Sequence, residues 1–200
     1  MTRRGQCRGE ARTIARGRAG NNPRSTSNVL RCGSRSPPEV RRMFYFAYGS
    51  NLDPEQMNQR CPGHTVVGMA ELRDHRLTFP LTSHDWGGGV ASVGVAHGAS
   101  VWGVVYDLTE ANLAALDGYE HFVGPENQHN LYDRESTSVQ LVRADDGSFA
   151  RRLRVWIYVA RQANPSPPSR RYLDAIVRGA RHHHLPEEYV TKLAATPVLE

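Results

Sequence analysis

Apolar residues are sparse through position 42 and become dense at Phe44-Tyr45-Phe46-Ala47-Tyr48. Aromatic residues suit a pleated strand, so a strand is expected over about 43–48. It breaks at Gly49-Ser50-Asn51. Glycine permits backbone angles or close approaches that a Cβ blocks, while Ser and Asn side chains bond locally to the backbone. Asp53-Pro54 then opens a short helix over about 53–60, with Asp as N-cap and Pro at the first helical position. Residues 64–80 read as one or two strands, and Thr82 to Gly89 as a loop. No Lys-Ser/Thr follows Gly87-Gly88-Gly89, which excludes a phosphate loop. Residues 90–97 and 100–107 read as two strands joined by a tight turn at His97-Gly98-Ala99. Thr109 caps a helix that turns Leu113 and Leu116 inward and ends at Asp117-Gly118.

The stretch 118–130 is polar and irregular, with Gly124-Pro125 as a breaker. Strands are expected at about 131–143 and 149–160, joined across Asp145-Asp146-Gly147, a strong hairpin signal. A proline-bearing connector, Asn164 to Ser169, leads to a helix over about 169–183 with Tyr172, Ile176 and Ala180 on one stripe. Pro186 opens a last short helix to about Ala195. No repeat is visible. Several strands with few helices predict an α+β fold, a small mixed β-barrel flanked by short α-helices.

Charge separates the chain into two parts. The first 42 residues hold eleven arginines against Glu10 and Glu39, about +9, while the whole 200-residue chain carries +5. Residues 43–200 are therefore acidic, near −4, and the high pI belongs to the tail. A tail rich in Arg, Gly, Ser, Asn and Pro buries too little surface to offset its ordering entropy, so 1–42 is expected to be disordered and 43–200 to be the domain. An arginine-rich arm also fits contact with nucleic acid, or an organelle-targeting segment. Met43 is a second candidate start, which would make residues 1–42 an extension. No apolar run nears the roughly 18 residues of a membrane span, and no apolar stretch follows the basic N-terminus as in a signal peptide. Cys7, Cys32 and Cys61 form no close-spaced pair, which argues against a disulfide scaffold or structural zinc and for reduced thiols in the cytoplasm. His182-His183-His184 lacks the usual ligand mix of a metal site and suits a helix C-terminus. No metal and no cofactor is expected.

The candidate chemistry starts at the first turn. A strand, a small-residue turn and a helix start leave backbone N–H groups converging, a geometry that binds anions or a developing oxyanion. An ordinary strand–turn–helix corner has the same grammar. Tyr45-Phe46-Ala47-Tyr48-Gly49-Ser50-Asn51-Leu52 resembles the signature of the γ-glutamylcyclotransferase family. Trp86-Gly87-Gly88-Gly89-Val90-Ala91, Val101-Trp102-Gly103-Val104-Val105-Tyr106 and Leu116-Asp117-Gly118-Tyr119-Glu120 extend the resemblance. So do Tyr158, Pro165-Ser166-Pro167-Pro168-Ser169, Gly179-Ala180 and Leu185-Pro186-Glu187-Glu188-Tyr189, in order to the C-terminus.

The resemblance implies a compact barrel with its pocket at one mouth and Glu120 as catalytic acid/base. It implies a small-molecule γ-glutamyl substrate, held by Tyr45, Phe46, Ala47, Tyr48, Gly49 and Ser50, with Ala160 on the pocket wall. Such a substrate carries its own nucleophile, so one carboxylate with a moderately raised pKa suffices to move the protons. The expected products are 5-oxoproline and a free amino acid or amine. Tyr132 and Tyr158 either close the pocket or serve as barrel aromatics. One departure stands out: His121 follows Glu120 where the family usually has Gly, and the loop to Tyr132 is longer. That departure leaves room for a ligand-binding module without turnover. The leaving group and the oligomeric state are not legible.

Overall fold

The computed structural model describes residues 42–142, 149–161 and 164–199. Five strands close into a barrel in the order β1-β3-β2-β4-β5. They are β1 (Met43–Ala47), β2 (Thr65–Ser83), β3 (Gly88–Leu108), β4 (Tyr132–Val142) and β5 (Phe149–Ala160). Helices α1 (Pro54–Arg60), α2 (Glu110–Tyr119), α3 (Arg170–His182) and α4 (Glu187–Ala194) accompany them. This is the α+β class that the alternation of patterns predicts. Neighbouring strands pair antiparallel, except that β1 and β5 close the barrel in parallel at Tyr45 and Trp156. No helix among the described residues is long and apolar enough to cross a membrane.

The largest difference from the sequence reading is the β2–β3 ribbon. Residues 90–97 and 100–107 are parts of one strand, with no reversal at His97-Gly98-Ala99. Arg73 pairs with Ser100 and His75 with Val95, so residues 96–99 bulge out opposite Asp74 alone. Asp74 and Gly98 both take positive φ, and Asp74 Oδ1 accepts the Gly98 N–H at 3.0 Å. The glycine therefore serves a bulge, which needs the same left-handed residue as a hairpin turn. The loop expected from Thr82 to Gly89 shrinks to residues 84–87 at the ribbon's tip. Helix α2 runs through Gly118 to Tyr119 and has Glu120 as its C-cap. The expected turn at Asp145-Asp146-Gly147 and the basic tail up to Arg41 lie outside the described residues.

The fully buried core joins Phe46 of β1, Val101, Val104, Val105 and Tyr106 of β3, Leu116 of α2 and Ile157 of β5. Tyr172, Ile176 and Ala180, the predicted stripe of α3, are buried too. That helix lies against a single 3-10 turn, Ser50–Leu52, that follows β1. The approach is close enough that a Cβ on Gly179 would fall 2.2 Å from the Leu52 carbonyl carbon. Asp53 pins the same corner from two sides. Its Oδ1 accepts the N–H groups of Glu55 (3.0 Å) and Gln56 (3.2 Å), and its Oδ2 accepts Arg178 Nε at 2.9 Å. The turn between β1 and α1 is thus held by a cap beneath and a helix across.

Candidate active site

A cavity of about 520 Å³ opens beside that turn. Its floor is Tyr45, Tyr48, Gly49, Ser50 and Asn51, and Glu120 with His121 forms one wall. Leu81 to Trp86, at the tip of the β2–β3 ribbon, forms another. Tyr132, Tyr158 and Tyr172 complete the interior.

The turn uses only part of its hydrogen-bonding capacity on itself. Leu52 N–H donates to Gly49 O and Asp53 N–H to Ser50 O, so the amides of Ser50 and Asn51 are not consumed inside the turn. Tyr172 hydroxyl, which accepts the Ala91 N–H at 2.9 Å, stands beside the same turn. Gly49 has an ordinary negative φ. Close approach is what it provides, since a Cβ there would stand 3.1 Å from Ala91 Cβ and 3.3 Å from the Tyr172 oxygen.

Glu120 reaches the turn from the far side. Its side chain is only 15% exposed. Oε1 accepts Asn51 Nδ2 at 3.1 Å and faces Arg60 Nη1 at 3.5 Å. Burial raises the carboxyl from its ordinary value, against the opposing pull of Arg60, the Asn51 amide and His121. Asn51 is the hub. Nδ2 also donates to Tyr45 Oη at 2.8 Å, while Oδ1 accepts Gln56 Nε2 at 3.0 Å and Arg60 Nη1 at 2.9 Å. Gln56 and Arg60 stand one helical turn apart on α1, and Gln56 further donates to Ser50 Oγ at 2.8 Å.

The tyrosines are held neutral. Burial pushes the Tyr45 and Tyr48 hydroxyls well above their ordinary range, and Tyr172 up to about 12. Tyr48 donates to Tyr158 O, Tyr158 donates to Asp117 Oδ1 at 2.7 Å, and Tyr132 donates to Ala91 O at 2.9 Å. Tyr132 and Tyr158 therefore play both parts considered for them, barrel aromatics that also wall the cavity.

The structure gathers Tyr45, Tyr48, Gly49, Ser50 and Glu120 around one space. Phe46, Ala47 and Ala160 do not line it. Phe46 and Ala47 are wholly buried, with the Phe46 ring in the space above Gly103, where a Cβ would come within 2.8 Å of it. Ala160 ends β5 in register with Tyr132 and gives its N–H to Ser92 Oγ at 2.9 Å. Asn51, Arg60 and Tyr172 were not singled out as site residues from the sequence. Arg60 carried a local signal, being four residues after Gln56 on a helix that starts at the signature turn. Tyr172 carried another, a phenol on an otherwise aliphatic stripe, which needs a polar partner when buried. Among the described residues no cluster of three or more His, Cys, Asp or Glu has the form of a metal site. His121 takes φ 51°, so the backbone after Glu120 has the left-handed form that glycine adopts most easily.

Known proteins resemble this chain in sequence and in fold. The model of the AIG2-like family matches residues 100–193. The human protein named gamma-glutamylcyclotransferase is 32% identical over 168 residues, 82% of this chain and 84% of its own length. The mouse protein of that name is 30% identical over 169 residues, with the same coverage. A solved structure named gamma-glutamyl cyclotransferase superposes with a TM-score of 0.71 at 30% identity, over 80% of this chain and 90% of its own.

Proposed function

The chain belongs to the γ-glutamylcyclotransferase family, and from that membership we propose that it cyclises a small γ-glutamyl compound, releasing 5-oxoproline and an amine. The observation that carries the reading is Glu120, a buried carboxyl raised from its ordinary value, facing the Gly49-Ser50 turn across one cavity.

A γ-glutamyl compound holds an α-ammonium and a γ-amide on one flexible chain. Folding it so that nitrogen meets carbonyl carbon is the main task, and a shaped cavity performs it by removing orientational freedom. Glu120 accepts a proton from the ammonium, which frees the lone pair for attack. The new ring C–N bond forms, and negative charge moves to the carbonyl oxygen. The turn amides receive it, and one preorganised donor is worth about 2.7–4 kcal/mol in comparable sites. Glu120 then delivers its proton to the leaving nitrogen as the old C–N bond breaks. The extra proton on the ring nitrogen leaves through the same carboxylate to the released amine or to solvent. Tyr45, Tyr48, Gly49 and Ser50 line the binding surface, and the ribbon tip from Leu81 to Trp86 lines the same cavity.

The test is product formation from a panel of γ-glutamyl-amino acids and amines, with 5-oxoproline detected by chromatography. Turnover of at least one member is expected. Saturable binding of these compounds without 5-oxoproline would replace the enzyme with a binding module of the same architecture.

A further inference from the structure

Glu120 presents its two oxygens to different surroundings. Oε1 takes the Asn51 amide and the Arg60 guanidinium, while among the described residues Oε2 makes no hydrogen bond to the protein. Arg60 is held as firmly as its partner. Its side chain is 18% exposed, Nη1 lies 2.9 Å from Asn51 Oδ1, and Cζ stands 4.6 Å from the centroid of the Tyr119 ring. Its position follows from local sequence. Asp53 caps α1, Gln56 fastens the first turn to Ser50 and Asn51, and Arg60 is the last residue of that helix.

We propose that Arg60 is a positioning residue for Glu120, clamping Oε1 beside Asn51 so that Oε2 is the atom that takes the substrate's ammonium proton. The inference rests on the cyclisation reading for its consequence in turnover. Its structural content, a guanidinium 3.5 Å from a carboxyl that is 15% exposed, stands apart from it.

The other groups facing Glu120 cannot substitute for this charge. Tyr45 of β1, Tyr48 beyond it, Tyr132 of β4, Tyr158 of β5 and Tyr172 of α3 are buried phenols whose own ionisation Glu120 opposes. His121 is the remaining titratable neighbour, and it is exposed. A nearby cation favours an ionised carboxyl by roughly 1–3 pKa units at such separations. Arg60 therefore offsets part of what burial does to Glu120. Asn51 adds direction, because its amide ties Oε1 to the turn.

Two substitutions separate charge from shape. Arg60→Gln can still donate to Asn51 but is neutral, and Arg60→Lys retains the charge without the planar fork. The acid limb of kcat/KM reports the free enzyme's essential base. It is expected to move up by about one pH unit in R60Q and to stay near wild type in R60K. Carbon-13 NMR titration of the Glu120 carboxyl, assigned with E120Q, should show the same shift without any turnover. If wild type makes no 5-oxoproline, the cyclisation reading fails while the titration still judges Arg60. Equal Glu120 titration in wild type and folded R60Q would overturn the proposal. So would a rate loss in R60Q that is uniform across pH, which marks a merely structural residue.

Discussion

Glu120 is where folding and chemistry oppose each other. Burial raises its carboxyl from the ordinary value, so ionising it costs folding free energy. Its contribution to stability is full at pH values below its unfolded pKa and is lost as pH rises through the raised folded pKa. E120Q lacks this titration, and the unpaired Arg60 it leaves behind adds an offset that does not vary over this range. The Tm of wild type relative to E120Q should therefore fall as pH rises from about 4, the ordinary range of a glutamate. Paired thermal melts would show it, and a constant difference across that range would contradict a raised carboxyl. Glu120 itself was found through resemblance, because a glutamate at a helix end is ordinarily solvated. Its partners were not found, because hydrogen bonds among Asn51, Arg60 and Glu120 join three separate elements. Arg60 and Asn51 meet Glu120 only once the barrel has brought α1 and α2 side by side.

At the scale of elements, legibility followed how local the cause was. The caps Asp53 and Thr109 act within three residues and accept the helix N–H expected of them, and Ser169, read only as the end of a connector, caps α3 in the same way. The strand–turn–helix from Met43 to Arg60 was legible for the same reason. The β2–β3 ribbon was not, since Gly98 supplies a positive φ that a hairpin and a bulge both require. Only the pairing of Arg73 with Ser100 and His75 with Val95 decides between them. The seat of α3 on the Ser50–Leu52 turn is equally non-local, and Gly179 makes it possible. Gly179→Ala places a methyl against the Leu52 backbone and should destabilise the protein by about 1–3 kcal/mol. For a chain of this size that lowers Tm by roughly 2–4 °C per kcal/mol. Calorimetry would measure it, and an unchanged Tm would mean that α3 does not bear on the turn.

For the whole molecule, the barrel's closure between β1 and β5 brings the first and last strands together at Tyr45 and Trp156. Among the described residues, those that line the cavity fall between Tyr45 and Tyr172. A chain beginning at Arg42, which keeps the Arg42–Asp107 ion pair, should retain the Tm and turnover of the full chain. Loss of either would assign the arginine-rich segment a part in the fold or the site. The ~520 Å³ cavity has the Glu120 carboxyl on one wall and the Gly49-Ser50 turn at its floor. The most direct test of that account compares 5-oxoproline release from γ-glutamyl-amino acids by wild type and by folded Glu120→Gln at saturating substrate. Wild type should form the product, with kcat lowered about 10²–10⁴-fold in E120Q. Equal kcat in the two proteins would remove Glu120 from the reaction and contradict the account.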